Sequence, residues 1–185
     1  MAEQRVSYRY AKALFETSCE EKCEEVVYND FMIISKILTF VPELVSIARK
    51  PLVSPFRKKR LYQEVFSEKI SETTLKFILF LVDKERDYLL KDIIAQYQKL
   101  YFAYKNLLPV EIYFPRDFED SLKHKIIHKL EEITGKKVIP KFIIDPKILG
   151  GFKVKIEDWV FDATLKNKLL SLYKELVSNV KVEQN

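Results

Sequence analysis

The two histidines are the residues of this chain whose spacing comes nearest to metal chemistry. His124 and His128 stand four positions apart, the spacing at which an H-E-x-x-H helix binds zinc. Lys125 occupies the position of the glutamate in that motif, so no general base is adjacent. Lys123 and Lys129 add positive charge that repels a cation. The sequence therefore favours an exposed polar helix face over a metal site.

The two cysteines have a spacing that fits neither of the common thiol motifs. Cys19 and Cys23 stand four positions apart, which is neither a redox C-x-x-C nor half of a four-ligand zinc site. Two thiols in a chain of 185 residues do not make a disulfide framework, so a reducing compartment is expected. We interpret both as ordinary buried or half-buried thiols near a helix junction.

The glycines exclude the two common nucleotide-binding loops. Only Gly135, Gly150 and Gly151 occur, whereas the dinucleotide and P-loop fingerprints need several glycines in one short turn. Adjacent carboxylates such as Glu131 and Glu132 point away from each other on a helix, so they form no acid–base pair. No residue pattern here argues for catalysis, so we predict a protein that is not an enzyme and binds no cofactor. An enzyme that uses His124 or His128 is a lower-ranked alternative.

The chain carries one basic run, Arg57–Arg60, and a net charge of +5 from 32 basic and 27 acidic residues. Four consecutive helical positions distribute their charges around the helix, so the run favours a solvated face over a phosphate-binding patch. The pI of about 9.0 and the ten tyrosines nevertheless leave an RNA-binding helical adaptor open as an alternative. Such binding would weaken steeply with salt, which distinguishes it from apolar recognition of a protein.

The elements that position these residues change character near residue 106. Up to Asn106 the apolar residues recur at the helical period and no glycine interrupts them. Ser54 followed by Pro55 marks the start of a fourth helix, and Ser71 marks the start of a fifth. We therefore predict an N-terminal six-helix bundle over residues 1–106.

Beyond residue 107 the pattern indicates strands as well as helices. Alternating apolar residues over 110–114 and 152–156 predict strands, and a helix capped by Asp117 and ending at Gly135 lies between them. The predicted fold class is α+β in two parts, with a small mixed α/β domain over residues 107–185. A closing helix carries an apolar seam formed by Leu165, Leu169, Leu172 and Leu176.

Several segments, read in order, are typical of one family. Arg9–Phe15 reads R-Y-A-K-A-L-F and Asp145–Phe152 reads D-P-K-I-L-G-G-F; Pro51–Ser54 followed by Lys58, and Thr134–Lys136, are weaker matches. Together they resemble the delta subunit of bacterial F-type ATP synthase, whose mitochondrial relative is the oligomycin sensitivity-conferring protein. The resemblance extends over essentially the whole chain.

The resemblance implies a non-catalytic peripheral-stalk subunit that keeps the catalytic head from turning with the rotor, so that proton flow drives ATP synthesis. In the family, the N-terminal bundle binds the N-terminal helix of an alpha subunit between its first and fifth helices. The corresponding candidates are Tyr10, Ala13, Leu14, Phe77 and Phe80. We expect Tyr10 and Phe80 to contribute most, and Leu14 to belong mainly to the bundle core.

The resemblance also implies that the C-terminal domain contacts the b subunits. Internal packing is the alternative for the same side chains. The complex would lie at the cytoplasmic face of the bacterial inner membrane, with this chain peripheral to it, since no apolar run is long enough to span a bilayer. The candidate b-subunit contacts are Phe152, Val154, Leu169, Leu172 and Leu176.

Overall fold

The helices of the first part of the chain begin where the sequence supplies capping residues. The computed structural model describes residues 2–50, 52–116 and 119–171, and the chain divides into two compact units, Met1–Tyr104 and Lys105–Asn185. The Ser54 and Ser71 hydroxyls accept hydrogen bonds from the third backbone N–H of their helices, as predicted. The helices of the first unit are α1 (Ala2–Glu20), α2 (Glu24–Phe40), α3 (Pro42–Ala48), α4 (Pro55–Phe66), α5 (Glu72–Asp83) and α6 (Leu90–Tyr104), with a 3-10 helix at Asp87–Leu89.

Aromatic side chains form the centre of the first unit. Tyr97 on α6 meets Phe31 of α2 edge to face, with ring centroids 5.0 Å apart, and meets Phe15 of α1 in the same way at 5.4 Å. The Tyr97 hydroxyl lies 2.8 Å from the Ser18 hydroxyl and donates to the carbonyl of Glu24. These contacts join α1, α2 and α6 around one buried ring.

One lysine of the basic run is buried, so the interpretation of the run as a solvated face is wrong at that position. Lys58 donates to the carbonyl of Ala48 at 2.7 Å and lies 3.1 Å from the Asp87 carboxylate, which also accepts a hydrogen bond from the Tyr62 hydroxyl. Lys58 and Tyr62 are one helical turn apart and therefore share the inward face of α4. Lys59 instead pairs with Asp83 near the surface.

The second unit combines a small mixed sheet with a helix. In the described residues the strand order is β2-β1-β3-β4, from β1 (Leu107–Phe114), β2 (Lys137–Ile144), β3 (Lys153–Ile156) and β4 (Trp159–Asp162). The helix α7 (Asp120–Thr134) connects β1 to β2, which is parallel to it. Strand β3 is antiparallel to β1, and β4 is antiparallel to β3. The predicted combination of helices and a small sheet is confirmed. Asp117, predicted to cap the helix, lies outside the described residues.

Three local features shape this sheet. Pro140 lies on the edge strand β2, the position in a sheet where proline is tolerated. The neighbouring Val138 N–H donates to the Glu131 carboxylate of α7 at 2.9 Å. Gly151 has a φ of +82°, and a Cβ there would collide with the carbonyl oxygen of Ala163. Glycine is therefore required in the turn before β3.

The core of the second unit lies on the sheet face that α7 covers. It is formed by Leu108, Val110, Ile112, Phe114, Ile126, Val138 and Val154. A further helical stretch begins at residues 165–171, after Thr164. In the described residues no single helix has the length and apolarity of a membrane span; only α2 and α3 taken together do, and they are bent by 97° at their junction.

Candidate functional site

An open groove of about 820 Å³ runs between α1 and α5 on the surface of the first unit. We call it the helix groove. Its α1 wall includes Val6, Tyr10 and Ala13, and its α5 wall includes Phe77 and Phe80. The rings of Tyr10 and Phe80 meet edge to face, with centroids 6.3 Å apart.

The helix groove arises because each of its helices has a second row of side chains beside the row that faces the core. On α1 the buried row is Ser7, Ala11, Leu14 and Ser18, and the groove row, each one position earlier, is Val6, Tyr10, Ala13 and Thr17. On α5 the groove row Thr73, Phe77 and Phe80 precedes the buried row Thr74, Ile78 and Leu81 in the same way. A helix whose apolar surface is wider than its core contact leaves one row for another molecule.

All five predicted alpha-subunit contacts line the helix groove. Phe80 is 45 % exposed, Ala13 is exposed, and Tyr10 and Phe77 are half-buried. Leu14 is buried, which agrees with the expectation that it belongs mainly to the core. The structure thus brings the five residues together, with Phe80 the most accessible of the aromatic side chains among them.

The charged residues around the helix groove were not predicted from the sequence. Arg9 and Arg86 line it, together with Lys12 and Glu16, whose charged groups lie 3.6 Å apart. The Lys84 ammonium stands 5.6 Å from the centre of the Phe80 ring, a cation–π contact that screens part of one face of the ring. The first-helix motif R-Y-A-K-A-L-F contained the signal, since Arg9 stands directly before Tyr10.

The second unit has an apolar groove of its own, about 440 Å³, between α7 and the strands β3 and β4. We call it the sheet groove. Phe161 is paired with Val154 across β3 and β4 and so lies on the face that α7 partly covers, yet it is 64 % exposed. Ile133 of α7 is exposed on the opposite wall, and Lys125 and Lys129 line the same groove. This part of the sheet is apolar and accessible.

The predicted b-subunit contacts are distributed over several environments. Phe152 is half-buried and lines the sheet groove. Val154 is 1 % exposed and belongs to the core of the unit, so it supports the groove from below. Leu169 is exposed on the helical stretch at 165–171. Leu172 and Leu176 lie outside the described residues. Ile133 and Phe161 line the sheet groove but were not among the predicted contacts.

The histidines and cysteines have surface or junction positions. His124 and His128 are exposed on α7, with the His128 Nδ1 atom 3.3 Å from the Glu132 carboxylate. The described residues contain no group of three or more histidine, cysteine, aspartate or glutamate side chains placed to hold a metal ion. Burial and the neighbouring Glu21 raise the pKa of the Cys23 thiol, which disfavours the reactive thiolate.

Comparison with known proteins gives a consistent result along the whole chain. A family model described as ATP synthase delta (OSCP) subunit matches residues 6–176. The sequence is 31 % identical over 171 residues to ATP synthase subunit delta of Carboxydothermus hydrogenoformans, covering 92 % of this chain and 96 % of that protein. It is 30 % identical to the chloroplastic ATP synthase subunit delta of Trieres chinensis, covering 96 % of both proteins.

A solved structure has the same fold. A chain in the cryo-EM structure of the Toxoplasma gondii mitochondrial ATP synthase hexamer superposes with a TM-score of 0.71. The match covers 93 % of this chain and 97 % of that chain, at 18 % sequence identity.

Proposed function

Because the chain belongs to the ATP synthase delta (OSCP) subunit family, part of the F-type ATP synthase stalk, we propose that it ties the catalytic head to the b subunits of the stalk. The observation that carries this proposal is the accessible row of side chains on each of α1 and α5. The row on α5 ends at the half-exposed ring of Phe80. The chain then acts without chemistry of its own, by binding one partner at each of its two units.

The helix groove is the proposed site for the N-terminal helix of an alpha subunit. A helix placed in a groove is held by apolar side chains at i, i+3 and i+4. In the proposed complex, such a row of the partner helix packs against Tyr10, Phe77 and Phe80, which line the helix groove. Each apolar side chain buried in this way contributes about 1.5–3 kcal/mol. A nanomolar complex corresponds to roughly 12 kcal/mol, so several such side chains are required, since ordering the partner has a cost.

A complex of this strength lasts long enough for a stator. With a dissociation constant of about 1 nM and an association rate of about 10⁶ M⁻¹s⁻¹, dissociation takes place at about 10⁻³ s⁻¹. Enzyme turnovers are typically about 1–10³ s⁻¹. The contact therefore persists through many catalytic cycles, and the torque of the rotor does not turn the head.

The sheet groove is the proposed contact for the b subunits. Phe152 and Phe161 present apolar surface there, and Leu169 presents more on the helical stretch that follows the sheet. Leu172 and Leu176 remain proposed contacts as well. In this arrangement the chain lies peripherally, at the cytoplasmic face of the bacterial inner membrane, within the synthase complex.

The experiment that tests this function is recovery of the chain with its partners. A tagged full-length chain, expressed in its own cells and solubilised from membranes, is expected to bring down the alpha, beta and b subunits in a salt-resistant complex. Recovery of RNA that is lost as salt rises, without those subunits, would overturn the proposal. The basic run gives RNA binding little support, because Lys58 is buried and Lys59 and Arg60 are paired with carboxylates.

A further inference from the structure

We propose that the helix groove selects its partner by charge as well as by apolar surface, with Arg9 and Arg86 binding a carboxylate-bearing end of the partner helix. The inference rests on the proposed function and adds the charge pattern and direction of the partner. Apolar anchors at helical spacing hold a helix in a groove but distinguish its two directions poorly, so charges at one end of the groove are needed to do so.

The two helices of the groove run in opposite directions, which places Arg9 and Arg86 towards the same end. Glu3, near the beginning of α1, lines one cavity together with Val82 and Glu85, at the end of α5, and Tyr10, further along α1, meets Phe80, which comes earlier on α5. Advancing along α1 therefore means going back along α5. Arg9 precedes Tyr10 and Arg86 follows Phe80, so both guanidinium groups belong to the end formed by the beginning of α1 and the end of α5.

The positive charge at this end is uncompensated within the part of the chain that the structure describes. No carboxylate there forms an ion pair with Arg9 or Arg86, and the Arg86 guanidinium donates a hydrogen bond to the Tyr88 hydroxyl at 3.2 Å. The Lys84 ammonium over the Phe80 ring adds a third positive group. A carboxylate on the partner supplies the missing acceptor, and guanidinium groups bind carboxylates in a fixed two-point geometry.

The other charged residues that line the helix groove are already paired with each other. The charged groups of Lys12 and Glu16 lie 3.6 Å apart. This pair is close to neutral as a unit, so it attracts neither sign of charge strongly. The groove is therefore electrically asymmetric along its length.

Acidic residues near the arginines do not cancel this asymmetry. Glu3 and Glu85 belong to the same end of the two helices, but they line a separate cavity together with Arg49 and Lys58. Asp83 pairs with Lys59, and Asp87 is buried against Lys58. The carboxylates of this end thus face other cations or another cavity, whereas the two arginines line the helix groove.

The test uses the full-length chain and a synthetic peptide that spans the N-terminal helix of the alpha subunit. In a second peptide the carboxylates at the acidic end, which the proposal places beside Arg9 and Arg86, are replaced by the corresponding amides. Exposed ion pairs are weak, so the wild-type chain is expected to bind the amide peptide about fivefold less tightly at low salt. In the Arg9→Gln/Arg86→Gln variant the two peptides are expected to bind equally.

A matched variant separates local from general charge effects. Lys36→Gln/Lys91→Gln removes the same charge from exposed positions on α2 and α6, and is expected to retain the fivefold preference. A nitroxide on the acidic end of the peptide is expected to broaden NMR signals of Arg9 and Arg86 more strongly than those of Thr17 and Thr73. Equal binding of both peptides to the wild-type chain would overturn the charge inference while the apolar groove stands. If neither peptide binds, the proposed function fails as well.

Discussion

Phe80 is the side chain on which the apolar contribution of the helix groove can be measured most directly, because it is half-exposed and supports little of the core. Phe80→Asp is expected to weaken binding of the alpha-subunit peptide at least tenfold, since a carboxylate would have to be desolvated in an apolar contact. Isothermal titration calorimetry measures the affinity.

The matched control is Phe56→Asp, which introduces the same charge at an exposed phenylalanine of α4, outside the helix groove. Its peptide affinity is expected to equal that of the wild-type chain. Both variants should unfold at the wild-type urea concentration. Equal peptide affinity in all three proteins would show that Phe80 is not a binding residue.

Lys58 gives a prediction about stability at the scale of a single residue. Lys58→Met leaves the Asp87 carboxylate buried without its cation, which is expected to lower the free energy of unfolding by about 3 kcal/mol. Lys59→Met, which breaks the more exposed pair with Asp83, is expected to cost less than about 1 kcal/mol. Urea denaturation of the two variants makes the comparison. Similar losses would mean that burial of the pair adds nothing.

The buried tyrosines predict how stability changes at high pH. Burial raises the pKa of both Tyr62 and Tyr97 above the ordinary value of about 10. As the pH rises, the tyrosines of the unfolded chain lose their protons before those of the folded chain. The contribution of the two tyrosines to the free energy of unfolding is therefore complete below about pH 10 and declines as the pH rises beyond it. Each tyrosine should steepen this decline in the free energy of unfolding by about 1.4 kcal/mol per pH unit.

Tyr97→Phe is therefore expected to make the loss of stability above about pH 10 less steep. Tyr8→Phe, at an exposed position of α1, should leave the slope of unfolding free energy against pH unchanged. Urea titrations at several alkaline pH values measure both slopes. An unchanged slope for Tyr97→Phe would contradict the assignment.

At the scale of elements, α5 is held at its beginning by an aspartate of α2. The Asp30 carboxylate accepts hydrogen bonds from the Ser71 N–H, the Ser71 hydroxyl and the Thr74 hydroxyl, at 3.0, 2.5 and 2.7 Å. A negative charge at a helix N-terminus is also favourable to the helix dipole. Asp30 thus fixes one wall of the helix groove to the core beneath it.

Asp30→Ala is expected to lower the free energy of unfolding by about 2–3 kcal/mol, because three donors lose their acceptor. Peptide affinity should fall as well, since the groove wall loses its support. Asn29→Ala, at the adjacent exposed position, is the control and should change neither quantity appreciably. Wild-type stability in Asp30→Ala would refute this account of the α2–α5 contact.

Local signals in the sequence were sufficient for much of the element structure. Ser54 and Ser71 act through bonds to residues three positions away, and the alternation over 110–114 reports the sheet period directly, so both were predictable. The burial of the Lys58 side chain could not be predicted from local signals, because it depends on Asp87, which belongs to another element. The exposed apolar surface near Phe161 could not be predicted either, since it depends on how far α7 extends across the strands.

At the scale of the whole molecule, the proposed function requires one covalent chain to hold two partners. Phe80→Asp is expected to lose the alpha-subunit contact and to retain the b-subunit contact. Phe161→Asp is expected to lose the b-subunit contact and to retain the alpha-subunit contact. Membranes stripped of the chain should regain coupled ATP synthesis with the wild-type protein, and with neither variant alone. A mixture of the two variants should also fail to restore coupled ATP synthesis, because no single molecule in it binds both partners. Restoration by the mixture would contradict a mechanical role.

The edge strand β2 has a consequence for the protein before it joins any assembly. Lys137 and Asp145 direct their N–H groups to β1, so the even-numbered positions between them direct theirs to the open edge. Pro140 has no N–H to offer there, and the N–H of Val138 is already taken by Glu131. An extended segment from another molecule therefore finds N–H donors at only two of these four positions, Phe142 and Ile144, so β2 disfavours strand pairing between newly made copies at this edge of the sheet.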